Sequence, residues 1–158
     1  MEFSESLNNV REIRGYLDKI NIPDSQLRES ASLIALIHAI DHIERLARRC
    51  SEDLDRTSLL HDSPELSDAT SLLDKALREV LPELEQNNWL RGLSIAKEAH
   101  HKIDDLEHPS RAKIYEDVAR GEMSVTSATN YADSIRWLNR VSRHIYRSCH
   151  YIHDSELH

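Results

Sequence analysis

Residues 38–50 read HAIDHIERLARRC, and residues 133–145 read DSIRWLNRVSRHI. The two stretches stand 95 residues apart. In that register Ile40 matches Ile135, Arg45 matches Arg140 and Arg48 matches Arg143, while Ile43 and Leu46 are answered by Leu138 and Val141. Both copies reduce to an apolar residue, any residue, Arg, an apolar residue, a small residue, Arg. A fixed internal offset marks a duplicated structural unit. The apolar steps of three and four predict that each copy is helical.

Working outward, the same spacing extends both copies. A helix over about 25–55 carries Leu33, Leu36, Ile37, Ile40, Ile43, Ala47 and Cys50 on one stripe. The last helix, about 124–153, carries Tyr131, Ile135, Leu138, Val141, Ile145, Cys149 and Ile152. A shorter amphipathic helix over 4–20 precedes them, with Val10, Ile13, Tyr16, Leu17 and Ile20. It ends at a break made by Asn21, Pro23, Asp24 and Ser25. Between the copies lies a polar loop at 56–63. Ser63–Pro64 then opens a third helix through Leu66, Leu73, Ala76, Leu77 and Val80. Pro82 is expected to bend or break this helix, because proline lacks the backbone donor and clashes with the preceding turn. The pair Asn87–Asn88 and Gly92 weaken the same region; helix resumes from Trp89 to Glu107, His108–Pro109 marks a further boundary or kink, Ser110 to Arg120 continues as helix, and Gly121 sits where a C-terminal cap belongs. No stretch alternates with period two, so no strand is predicted. The expected fold is all-α: one domain over 1–158, an antiparallel bundle of about four long helices with the third interrupted.

Composition agrees. The chain has 158 residues, enough for one core. Hydrophobic residues are 39% and charged residues 30%, with three glycines, four prolines and 5% aromatics, the balance of a helical bundle. A net charge of −8 argues against general nucleic-acid binding, which needs excess positive charge on a face. No apolar run approaches the ~18 residues that a bilayer span requires. Cys50 and Cys149 read as lone, buried, reduced thiols, which fits a cytosolic setting.

A resemblance rests on these segments. Ile43-Glu44-Arg45-Leu46-Ala47-Arg48-Arg49 resembles the first seven residues of the signature LERIGDHAENI of the PhoU family, and Leu138-Asn139-Arg140-Val141-Ser142-Arg143-His144 resembles them again. Ala99-His100-His101-Lys102-Ile103-Asp104-Asp105-Leu106 is similar to the family's acidic helix ending in Ile-Asp-x-Leu. The stretch Ile13 to Arg45, with Gly15-Tyr16-Leu17 and the break at Pro23, is most similar to the PhoU-like cytosolic tail of bacterial sodium/phosphate cotransporters. The resemblance spans about 10–153. It implies paired three-helix units, the first without its opening helix, as in a fragment of a longer membrane protein or a short divergent member. It also implies a non-enzymatic regulatory domain in phosphate transport, cytoplasmic, at the inner face of the cell membrane. The partners would be a transporter membrane domain, a signalling protein or a second copy. The rival readings are a metal-binding helical bundle and a free-standing regulator of phosphate uptake.

The family binds metal through acidic pairs four residues apart, a spacing that puts two carboxylates on one helix face. Here only Glu79 and Glu83 stand so, across Pro82. In the signature helices the first acid is Glu44 in one copy and Asn139 in the other, and the second acid has become Arg48 and Arg143. A guanidinium repels a cation, so loss of the family's metal cluster is expected, and no cofactor. Histidines offer other donors: His38 and His42 with Asp41 between them, and His100 with Asp104. Glu98 and His101 make a single Glu-x-x-His pair, where di-iron bundles use two. The simpler reading is that these histidines edge the buried stripes with satisfied hydrogen bonds.

Arg136, Arg140, Arg143 and Arg147 form a basic ridge on an acidic chain, to which Arg45, Arg48 and Arg49 add. Such a ridge suits phosphate groups, acidic lipid or an acidic partner. The simpler reading pairs it with local acids such as Asp133 and Glu44. One pairing is specific: Arg143 is expected to meet Asp104 or Asp105 as an internal substitute for the cation, with Arg147 facing solvent.

Overall fold

A computed structural model of the chain describes residues 3–23, 27–52, 60 and 64–157. The start expected at Asp24–Ser25, the loop at 56–63 apart from Leu60, and the cap at Ser63 lie outside them. The described residues form five helices: α1 (Phe3–Leu17), α2 (Leu27–Glu52), α3 (Pro64–Glu85), α4 (Trp89–Ala119) and α5 (Val125–Leu157). None of them forms a strand, so the all-α expectation holds, and α3 and α4 occupy the span of the expected interrupted third helix.

The prolines do not set the helix ends. Pro82 and Pro109 lie inside α3 and α4 and break neither. Both are exposed, so the carbonyl that each leaves unbonded one turn earlier can turn to water and the helix continues past the proline. The break falls instead at 86–88. Asn87 takes a left-handed φ of 59°, its N–H bonds the Leu84 carbonyl, and the Asn88 N–H bonds the Glu83 carbonyl. This is a Schellman ending with Asn in place of Gly. Gly121, at φ 73°, ends α4 the same way, with bonds from Gly121 to Val118 and from Glu122 to Asp117. Ser124 then caps α5, its Oγ accepting from the Ser127 N–H at 3.1 Å.

α5 is the central element. It packs against α2 on one side and against α4 and α3 on the other; α3 also packs on α4, and α1 touches α2 alone. The core lies between α3, α4 and α5, where Leu66, Ile103, Ile114 and Leu138 are fully buried beside Ile135 and Val141. These are the residues of the second repeat and of the helices flanking it. A smaller cluster of Val80, Ala96 and Cys149 closes the other end. Both cysteines are free, and burial pushes the Cys149 thiol up to about 11. No helix among the described residues is long and apolar enough to cross a membrane.

Candidate functional site

The two repeated segments lie against each other on α2 and α5. His42 Nδ1 meets His144 Nδ1 at 3.1 Å, and the Trp137 indole N–H donates to the Arg49 carbonyl at 3.5 Å. In each pair the residue numbers add to 186, so the helices are antiparallel. The two contacts are also related by the repeat: adding 95 to His42 gives Trp137, and removing 95 from His144 gives Arg49. A two-fold operation therefore exchanges them, with its axis passing between Arg45 and Leu46 on one helix and between Arg140 and Val141 on the other. Such exchange of contacts is what a twofold interface between copies produces. The outward neighbours follow the same relation. Glu44 meets α1 as its counterpart Asn139 meets α4.

The two polar positions have opposite chemistry. Glu44 is 9% exposed. It accepts from Arg14 of α1 at 2.9 Å and from Arg48 one turn along at 2.9 Å. Asp41 beside it takes Arg45 at 2.8 Å and Arg14 at 3.3 Å. Burial alone would raise the Asp41 carboxyl, but the bonds and charges of Arg45 and Arg14 outweigh it and hold the carboxyl below its ordinary value. Arg14 was not legible as a site residue, because α1 carries no part of the repeat. On the other copy Asn139 donates through Nδ2 to both Asp104 (2.7 Å) and Glu107 (2.5 Å). One amide thus bridges two carboxylates.

The expected pair between Arg143 and Asp104 or Asp105 is not formed. Asn139 stands nearer along α5 and takes Asp104, and Arg143 makes no ion pair among the described residues. Carboxylate–guanidinium pairs form instead around Glu44, with Arg14 and Arg48. Arg147 also departs from expectation. It is half-buried, with its guanidinium over the Tyr146 ring at 5.5 Å. On the ridge, Arg136 pairs with Asp133 at 3.1 Å, while Arg140 and Arg143 flank a cleft with Glu107 and Asn139 and form no ion pair among the described residues.

The histidines gather into a band of rings across α2, α5 and α4. His38 stacks on Tyr151 at 4.9 Å, His42 contacts Tyr151 and His144, and His150 joins Tyr151 to Tyr146. Tyr146 stacks on His100, with His101 at its edge. His100 Nδ1 bonds the Ser142 hydroxyl at 3.1 Å, not Asp104. Burial lowers the pKa of His42 and, more strongly, that of His144 to about 4, where His42, Arg45 and Arg49 add to the effect. Burial lowers His100 as well, against Asp104. His42, His100 and His144 are therefore neutral at pH 7, donors and acceptors within the packed band.

The other candidate donors are dispersed. Glu79 approaches Lys75, Glu83 takes Arg91 and Asn88, and Glu98 takes Lys102. Among the described residues no three His, Cys, Asp or Glu side chains converge as a metal ion needs. No family model, no curated protein and no solved structure matches this chain.

Proposed function

We propose that this chain is a non-enzymatic helical interaction domain of the PhoU type, serving regulation of phosphate transport, with the tail of a sodium/phosphate cotransporter as its favoured setting. The observation that carries the reading is the relation between the two arginine-bearing signature helices. They pack on each other with contacts exchanged by the 95-residue shift. A duplicated helical unit of this kind is what the resemblance implies. The chemistry of the surface supports an interaction role. Arg140 and Arg143 flank a cleft whose one acid, Glu107, is bonded by Asn139, and neither arginine forms an ion pair among the described residues, on a chain whose net charge is −8. A pair of guanidinium groups outside any ion pair is suited to carboxylate or phosphate groups of a partner.

The test places a photo-crosslinking amino acid at position 136, at the edge of the ridge, in the cells from which the chain comes. The expected capture is a phosphate-transport membrane protein, lost when Arg140 and Arg143 are both changed to Glu. Capture of an unrelated protein, or capture unaffected by the charge reversal, contradicts the reading.

A further inference from the structure

The repeat isolates one chemical difference between its copies. In α2 each signature arginine stands four residues after an acid and pairs with it: Arg45 with Asp41 at 2.8 Å, and Arg48 with Glu44 at 2.9 Å. That spacing sets the two side chains on adjacent turns of one face. The 95-residue shift carries Arg45 to Arg140 and Arg48 to Arg143, but it carries Asp41 to Arg136 and Glu44 to Asn139. The arginines of α5 therefore follow a cation and a neutral amide where their counterparts follow acids. Two carboxylates are missing, and neither Arg140 nor Arg143 makes an ion pair among the described residues.

These arginines also share a space. Arg136, Arg140 and Arg143 line one cleft of about 220 Å³ together with Asn139 and, from α4, Glu107. That volume lies below the ~300–1,000 Å³ of pockets for drug-sized ligands, so the occupant is small. Arg136 bonds Asp133 through Nη1 at 3.1 Å, and the other donors of its guanidinium remain. Glu107 accepts from Asn139 on Oε2 at 2.5 Å, and its Oε1 stands 3.6 Å from Arg111. A carboxylate has more lone pairs than these two contacts use, so Glu107 keeps the capacity to accept.

We propose that this cleft binds a free hydrogen phosphate dianion. The dianion takes the place of the two absent carboxylates and carries the charge that they would carry together. Its bare oxygens accept from the guanidinium groups, whose planar forks match phosphate in a bidentate way. Its one P–O–H group donates to Glu107. An acid in an anion site selects between anions: it accepts a hydrogen bond from hydrogen phosphate but only repels sulfate, which has the same shape and charge and no proton to give. The inference takes the same arginines as the reading above, and rests on it only in assigning them to a ligand from outside the chain.

Calorimetric titration of the whole chain with inorganic phosphate at pH 8, where the dianion predominates, tests this at constant ionic strength. Circular dichroism checks that each variant stays helical. Wild type is expected to bind one phosphate, and to bind sulfate at least about tenfold more weakly. Arg140→Gln and Arg143→Gln should each weaken phosphate at least about tenfold. Arg48→Gln removes the same charge from the copy that keeps its acids, and should change phosphate affinity by less than about twofold. Glu107→Gln should erase most of the preference for phosphate, since an amide can donate to either anion. Equal affinity of wild type for phosphate and sulfate overturns the proposal. So does an Arg48→Gln effect as large as that of Arg143→Gln, or binding to anionic lipid vesicles by a chain that ignores inorganic phosphate. If wild type ignores phosphate while position 136 still captures the transport protein, the ligand falls and the interaction reading stands; phosphate binding without that capture does the reverse.

Discussion

The His42–His144 contact makes acid sensitivity the most pointed consequence of this fold. At 3.1 Å between Nδ1 atoms, one ring donates and the other accepts, so one Nδ1 must be bare. Protonating the acceptor removes the bond and sets a positive ring beside Arg45 and Arg49, in a half-buried place. Burial of the ring, with His42, Arg45 and Arg49 adding to it, lowers the folded pKa of His144 from 6.5 to about 4. A depressed histidine contributes stability that is fully present above the unfolded pKa, and this contribution is lost as pH falls from about 6.5 towards 4. At about 1.36 kcal/mol per unit the shift corresponds to roughly 3 kcal/mol. Solvent screening of a ring about half open to water reduces this to about 1 to 2 kcal/mol. The assay is urea unfolding of wild type and His144→Asn at pH 7.5, 6, 5 and 4.5. Asn keeps a hydrogen-bonding group near the Nδ1 position and cannot titrate. Wild type should lose about 1 to 2 kcal/mol more than the variant across that interval. Parallel curves for the two proteins would refute the reasoning.

Further outcomes follow from the two polar positions and the first helix. Glu44→Ala should cost about 2 kcal/mol in urea unfolding, since it strands Arg14 and Arg48, whereas Arg48→Ala, removing an exposed partner, should cost under about 1 kcal/mol; equal costs would contradict the assignment. Asn139→Asp sets a third carboxylate against Asp104 and Glu107. It should lower stability by about 2 kcal/mol, and millimolar Mn²⁺ or Ca²⁺ should recover part of the loss, because three converging carboxylates suit a hard cation; a variant indifferent to the cation would count against the bridging amide. Gly15 lies inside α1 with no atom within 4 Å of the position a Cβ would take. Gly15→Ala should therefore raise stability by about 0.8 to 1 kcal/mol, read as a higher melting temperature.

The sequence made the helices legible because apolar spacing records which face each one buries. Val10 and Leu17 on α1, Leu73 and Val80 on α3, and Ile135 and Leu138 on α5 are buried as their periodicity implies, whereas Ile13, Tyr16 and Ile20 of the expected α1 stripe are exposed, because among the described residues α1 packs on α2 alone. Pro82 does not break the third helix, since the carbonyl it frees can reach water, but the pair Asn87–Asn88 ends it and helix resumes at Trp89, as the local residues imply. The candidate site was legible one helix at a time. His38 and His42 were paired because they stand one turn apart, yet His42 meets His144 across the bundle. The repeat did contain the missing signal: copies packed antiparallel about a dyad near Arg45 and Arg140 bring residue 42 opposite residue 144. Asp104 and Arg143 each occupy their anticipated helices, but the competition between Arg143 and Asn139 for one carboxylate was decided by reach along α5, which spacing alone does not rank. Arg14 lay beyond any such reading, since its role depends on where α1 docks.

The central claim is that the two repeats pack about a twofold relation, and nuclear Overhauser contacts measure this most directly. Cross-peaks should join the His42 and His144 rings and also the Trp137 indole proton and the Arg49 backbone. Both sets are expected together, because the 95-residue shift turns one into the other. One contact without the other, or either replaced by a pairing whose residue numbers do not add to 186, would contradict the account.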